Sequence, residues 1–228
     1  MITINNLTVS YQKENKVLEH LNLTLDEGLI HGIVGLNGSG KTTLLNTLFG
    51  LKKADAGTIT INRQSISKKS IAYLVTEPFF YSQISGKEYL DLFKNEGFNI
   101  EQWNRLFSLP LNQIIDGYST GMKKKLAILG ILKQDKPLMI LDEPFNGLDI
   151  ETGRIIRLIL LKLKAKNKTI IITSHIIETL TNLCDLIHYL ESGQINQTWD
   201  KSRFSEFEKE VFEKIENDHS AMIGDLLK

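Results

Sequence analysis

The sequence predicts an α/β fold, a mixed or parallel sheet covered by helices, with a β-rich amino-terminal part and an inserted helical subdomain. Three observations carry this. Short, almost wholly apolar runs at 71–75, 138–141, 169–173 and 186–190 read as strands buried on both faces, as a parallel sheet under helices requires. Segments of helical apolar spacing at 119–132 and 152–166 lie between them, as βαβ crossovers demand. A glycine-rich loop separates one further apolar strand from a helix near the amino terminus.

In chain order, Ile2 and Ile4 alternate about Thr3, and Leu21, Leu23 and Leu25 about Asn22 and Thr24, the period of half-buried strands. Asp26-Glu27-Gly28 and Asp55-Ala56-Gly57 read as turns. Residues 29–34 form the strand before the glycine-rich loop, and Leu44, Leu45 and Leu48 mark a helix over 42–49. From 78 to 118 no strand is legible, and Tyr89, Leu90, Leu92, Phe93, Trp103, Leu106 and Phe107 recur at helix-like intervals. Beyond Trp199, the spacing of Phe204, Phe207, Val211, Phe212 and Ile215 predicts an amphipathic helix packed on the body. The expected organisation is one domain: a core over 1–77 and 133–200, a helical subdomain over 78–132, and a terminal helix over 201–228.

Composition narrows the function. The 228 residues are 42% hydrophobic and 24% charged, an ordinary globular balance that excludes wholesale disorder. With 27 basic and 27 acidic residues there is no electrostatic footprint for nucleic acid, so no nucleic-acid partner is expected. The single cysteine, Cys184, forms no intrachain disulfide and has no ligand cluster beside it. No apolar run approaches a membrane span, and the opening Met-Ile-Thr-Ile-Asn has no signal core, so a soluble cytoplasmic chain is expected.

Gly35-Leu36-Asn37-Gly38-Ser39-Gly40-Lys41-Thr42 fits the phosphate-binding loop G-x-x-x-x-G-K-[ST], in the strand-to-helix context the motif needs. Glycines let backbone N–H groups turn toward phosphate oxygens, the helix start favours negative charge, Lys41 neutralises it, and Thr42 can ligate Mg2+. The strand 138–141 ends in Asp142 and Glu143, one carboxylate suited to Mg2+ and one to polarising water. Alone, Ser119-Thr120-Gly121-Met122 would be a capped helix with a basic face, His175 a polar residue leaving a sheet, and Tyr11 an early aromatic.

In this order, with Asn146-Gly147-Leu148-Asp149 between them, these motifs resemble the ATPase subunits of ATP-binding cassette (ABC) transporters, over about 1–195. The resemblance implies a P-loop NTPase with a mixed or parallel sheet, an amino-terminal antiparallel β subdomain and the inserted helical subdomain. It implies ATP held by Tyr11 on the adenine and by Gly35, Asn37, Gly38, Ser39, Gly40, Lys41, Thr42 and Thr43. Mg2+ falls to Thr42 and Asp142, general base catalysis to Glu143, and γ-phosphate sensing to His175. Ser119 and Gly121 would cap the nucleotide of a second ATPase subunit, a homodimer partner or a paralogue, with Asp149 aligning that interface. The partner in the membrane would be an integral transporter subunit, placing the chain on the inner face of the cell membrane.

Several positions depart from the family pattern. Thr120 and Met122 alter the usual Leu-Ser-Gly-Gly-Gln signature, and the variant Tyr-Ser-x-Gly-Met-Lys resembles members associated with export. Ile150 stands where proline is frequent. Thr76, followed by Glu77-Pro78, stands where the family has glutamine. Either a shorter hydroxyl couples the metal loosely to the helical subdomain, or Glu77 takes the role. A soluble cassette ATPase and a nucleotide-responsive module of poor hydrolytic rate are the competing readings; the cargo is not encoded here.

Overall fold

Buried Ile2, Ile4, Leu7 and Val9 along β1 (Ile2–Gln12) meet Leu18, Leu21, Leu23 and Leu25 along β2 (Asn15–Leu25), and sharing that core pairs the strands antiparallel. The computed structural model describes residues 1–12, 15–65 and 67–226. After a turn at 26–28 the chain enters β3 (Ile30–Val34), buried at every residue, and passes through the glycine-rich loop into α1 (Lys41–Phe49). β4 (Ala56–Ile61) and β5 (Gln64–Ser65) complete a small antiparallel sheet in the order β2-β1-β4-β5.

The expected turn at Asp55-Ala56-Gly57 is corrected here: Ala56 and Gly57 begin β4. Gly57 adopts φ 88° where the β1–β4 register slips, and a Cβ on it would lie 2.4 Å from the Asn6 carbonyl oxygen. The glycine serves a bulge rather than a turn.

β6 (Ile71–Leu74) opens the second half, followed by α2 (Gly86–Asp91), α3 (Ile100–Asn104) and α4 (Thr120–Gln134). Then come β7 (Leu138–Leu141), α5 (Ile150–Ala165), β8 (Thr169–Thr173), α6 (Ile177–Thr181), β9 (Leu186–Glu191), β10 (Gln194–Asp200) and α7 (Phe204–Leu226). The large sheet runs β10-β9-β3-β8-β7-β6, parallel except for the antiparallel edge strand β10.

Period-two alternation gives the large sheet two buried faces. Ile33, Ile71, Leu138, Ile140 and Ile171 join the core that holds α1 and the small sheet. Val34, Leu74, Met139, Leu141, Ile170 and Ile172 join the core containing apolar residues of α4 and α5. The carboxyl ends of β3, β6, β7 and β8 are thereby left together at one edge, the place where open α/β sheets hold ligands.

Among the described residues, 78–118 has short helices and one isolated bridge, Ser85 to Ile114. Its aromatics divide by exposure. Phe80 packs on Tyr89 and Tyr89 on Phe93, with centroids 4.9 and 5.3 Å apart, and Phe98 stacks on Trp103 at 5.5 Å. Phe79 and Tyr81 instead stand 77% and 61% exposed, edge to face. In α7, Phe204, Phe207 and Val211 are buried, with Phe207 5.0 Å from Trp199, but Phe212 is exposed; one residue beyond Val211 turns it off the packed stripe. The Ile215 side chain lies outside the described residues.

Candidate functional site

The glycine-rich loop is built for an anion. A Cβ on Gly35 would lie 2.1 Å from the Leu190 carbonyl oxygen, so only glycine lets the loop leave β3 beside β9. Gly40 holds φ 109° and starts α1 with no side-chain cap, and no carboxylate stands in the helix's first turn. Its leading N–H groups and positive dipole end stay available. The Ser39 hydroxyl is buried without a hydrogen-bond partner. Lys41 folds back, its Nζ donating to the Gly35 and Leu36 carbonyls at 2.7 and 3.1 Å. Burial draws its pKa down, while Glu143 and Asp142 oppose that shift. An uncapped helix start, an orphan hydroxyl and a nearby ammonium fit phosphate oxygens.

The acidic half comes from the neighbouring strands. Strand register sets Leu141 beside both Leu74 and Ile172, so Asp142 falls next to Thr173 and to the end of β6. The Thr173 hydroxyl donates to Asp142 Oδ1 at 2.5 Å. Thr42 and Thr76 hydroxyls donate to Oδ2 at 3.2 and 2.8 Å. Asp142 is only 2% exposed, so these bonds fix its plane. Thr42 and Asp142 present hard oxygen donors suited to Mg2+. Among the described residues no set of three His, Cys, Asp or Glu side chains forms a metal cluster.

Glu143 takes φ 49°, a left-handed conformation uncommon for a glutamate, held by its N–H donating to the Thr173 hydroxyl at 3.0 Å. His175 Nδ1 lies 2.9 Å from Glu143 Oε2; because an ionised carboxylate only accepts, Nδ1 donates.

One cavity of about 440 Å3 gathers Asn37, Gly38, Gly40, Lys41, Thr42, Thr43, Thr76, Asp142, Glu143 and His175. Tyr11 connects to it through Thr43, whose hydroxyl donates to the phenol oxygen at 3.4 Å, while Lys52 Nζ lies 4.5 Å from the Tyr11 ring centre. Ser119, Gly121 and Asp149 lie outside that lining. Ser119 caps α4, accepting from the Met122 N–H at 3.2 Å. Asp149 caps α5 through the Thr152 N–H and pairs with Lys125 Nζ at 3.1 Å. These contacts hold its carboxyl well below the usual range, the Thr152 backbone bond most strongly. A larger groove of about 800 Å3 beside α3, lined by residues such as Lys87, Glu101 and Leu111, holds none of the candidate site residues.

Thr173 and Lys124 escaped the sequence reading. A polar residue closing an otherwise apolar run was the available signal for Thr173; Lys124, inside a lysine run, had none.

The family model for the ABC transporter matches residues 18–146. The chain is 33% identical to the ABC transporter ATP-binding protein NatA of Bacillus subtilis (strain 168), over 86% of this chain and 87% of that one. It is also 33% identical to the bacitracin transport ATP-binding protein BcrA of Bacillus licheniformis, over 86% of this chain and 68% of that one. Among solved structures, an ATP-binding subunit of an ABC transporter superposes with a TM-score of 0.81 at 27% identity, covering 88% of this chain and 90% of that one.

Proposed function

Because the chain belongs to the ABC transporter family as an ATP-binding, ATP-hydrolysing subunit, we propose that it drives export through a separate integral membrane subunit, acting in a head-to-tail pair of ATPase subunits. The observation that carries this reading is a division of parts. Lys41, Thr42, Asp142 and Glu143 line one cavity, while Ser119 and Gly121 stand outside it on the start of α4. A capping serine outside its own cavity suits a neighbour's nucleotide. The Tyr-Ser-x-Gly-Met-Lys signature and BcrA's association with bacitracin transport support export.

In this reading the loop N–H groups and Lys41 hold the β- and γ-phosphates of ATP, and Tyr11 stacks on adenine. Thr42 and Asp142 would hold Mg2+, which supplies charge neutralisation on those phosphates. Glu143 Oε1 accepts the proton of the attacking water, while His175 fixes the other carboxylate oxygen and senses the γ-phosphate. Ser119 and Gly121 complete the partner's site, and Asp149, anchored by Lys125, aligns the joint. The segment 78–132 acts as the moving helical subdomain, and contact with the membrane subunit holds the chain at the inner membrane face.

Glu143→Gln keeps size and hydrogen bonding but removes the base, so hydrolysis should fall by at least about a hundredfold with ATP binding retained. Size-exclusion chromatography with ATP should then show a stable dimer. Wild-type turnover together with monomer alone would reject both the base assignment and the paired arrangement.

A further inference from the structure

Lys124 lies on α4, five residues after Ser119, and is 4% exposed although it carries an ammonium. Its neighbour Lys125 reaches the other way, to Asp149. Lys124 Nζ donates to the Thr76 carbonyl oxygen at 2.8 Å, and the hydroxyl of that same Thr76 donates to Asp142 Oδ2 at 2.8 Å. Burial draws the Lys124 pKa down, and the carboxylates of Asp142, Glu143 and Glu77 oppose the shift. A buried cation is costly unless its position is used, and here it bonds to a neutral carbonyl at the end of β6.

Asp142 is held from two kinds of neighbour. Thr173 and Thr42 belong to the sheet and to the loop-helix unit that form the body of the site. Thr76 is the hold that continues outward, through Lys124, into the helix that opens at Ser119. A threonine side chain is too short to link Asp142 to α4 by itself; here the link is completed by a lysine from the opposite side.

We propose that Lys124 is a positioning residue for Asp142: by fixing the Thr76 carbonyl it keeps the Thr76 hydroxyl on the carboxylate, tying the site's metal-side oxygen to the placement of Ser119. The inference rests on reading Asp142 as that metal-side group. Movement of α4 that carries Ser119 away would carry Lys124 with it and release Thr76. In this proposal Thr76 is held by a two-bond strap rather than loosely, and Glu77, exposed beside it, adds negative charge near Lys124.

Lys124→Met keeps the buried stem and removes the donor. It should lower kcat about tenfold, the factor a charge-assisted hydrogen bond commands, with little change in KM. Half-activation should need more Mg2+, and the gain in affinity for a fluorescent ATP analogue on replacing EDTA by Mg2+ should shrink. Affinity in EDTA should stay unchanged. Lys124→Arg should restore most of the loss, and Thr76→Val should match Lys124→Met, the double variant being no worse than either. A folded Lys124→Met with wild-type Mg2+ response, or additive losses in the double variant, would overturn the strap. If Lys124→Met does not fold, an unchanged Mg2+ response in Thr76→Val overturns it. Asp142→Asn separates the two levels: if it keeps normal Mg2+ dependence the site assignment fails, whereas its collapse beside a silent Lys124→Met removes only the role given to Lys124.

Discussion

His31 and His188 meet inside the large sheet, both essentially inaccessible, with stacked rings 5.4 Å apart. Their hydrogen bonds define the protons. The Asp26 carbonyl, 2.9 Å from His31 Nε2, only accepts, so that nitrogen is protonated, and in the neutral ring that burial favours His31 Nδ1 accepts from His188 Nε2 at 3.1 Å. His188 Nδ1 then accepts from the Thr198 hydroxyl at 2.9 Å. Both rings are neutral, and a further proton would be a buried charge. Burial lowers the pKa of His31, against opposing effects of Asp26 and Asp185, and lowers that of His188 to about 3, with His31 adding to the shift. The unfolded chain therefore binds more protons below the ordinary histidine value near 6.5, and stability falls as pH drops through that value toward the folded one. The slope from His188 should approach about 1.4 kcal/mol per pH unit, with His31 acting in the same direction. Urea midpoints between pH 8 and 5 should show this loss, and His188→Gln, though weaker at pH 8, should give a flatter profile. Equal slopes for the two proteins would contradict the neutral-pair assignment.

α7 shows how one element divides between packing and exposure. Phe207 is fully buried against Trp199, and Phe212 is about half exposed on the same helix. Phe207→Ala should cost about 3–5 kcal/mol, the range for emptying a large core aromatic. Phe212→Ala should stay within about 0.5 kcal/mol. Comparable shifts in thermal midpoint would mean the helix docks by another face. The same pair marks what sequence could reveal. Apolar spacing located α7 and the buried strands because burial imposes period on composition, but it could not order Phe207 and Phe212, which differ in direction rather than hydrophobicity. β10, with Gln194, Asn196 and Gln197 along a polar edge, and the five-residue α6 gave no period to read. In the candidate site, Lys41, Thr42, Asp142 and Glu143 could be singled out because phosphate and metal chemistry restricts residue type, and the structure brings the four to one cavity. The contacts made by Thr173 and Lys124 were not, since each depends on strand and helix placement across at least thirty residues.

Seen whole, the molecule gathers its candidate phosphate and metal ligands at one sheet edge and leaves an aromatic pair exposed where β6 leads into the helical segment. Among the described residues no helix is long and apolar enough to cross a membrane; the proposed complex calls for a surface contact with the membrane subunit. Phe79 and Tyr81 are candidates because they spend their area on solvent, while the adjacent Phe80 is already committed to Tyr89. Exposed aromatics of this kind supply large, rigid contact at interface centres. They also follow Thr76 by only a few residues, so a partner pressing on them would act on the segment that reaches Asp142. Phe79→Asp should therefore leave the melting temperature and basal ATPase rate within experimental scatter of wild type. The same variant should fail to co-purify with the membrane subunit from detergent-solubilised membranes, losing at least about tenfold in recovery if Phe79 anchors the contact. Phe80→Asp should behave differently, lowering the melting temperature by placing a charge in the packed cluster. Full recovery of the membrane complex with Phe79→Asp and with Tyr81→Asp would place the docking surface elsewhere.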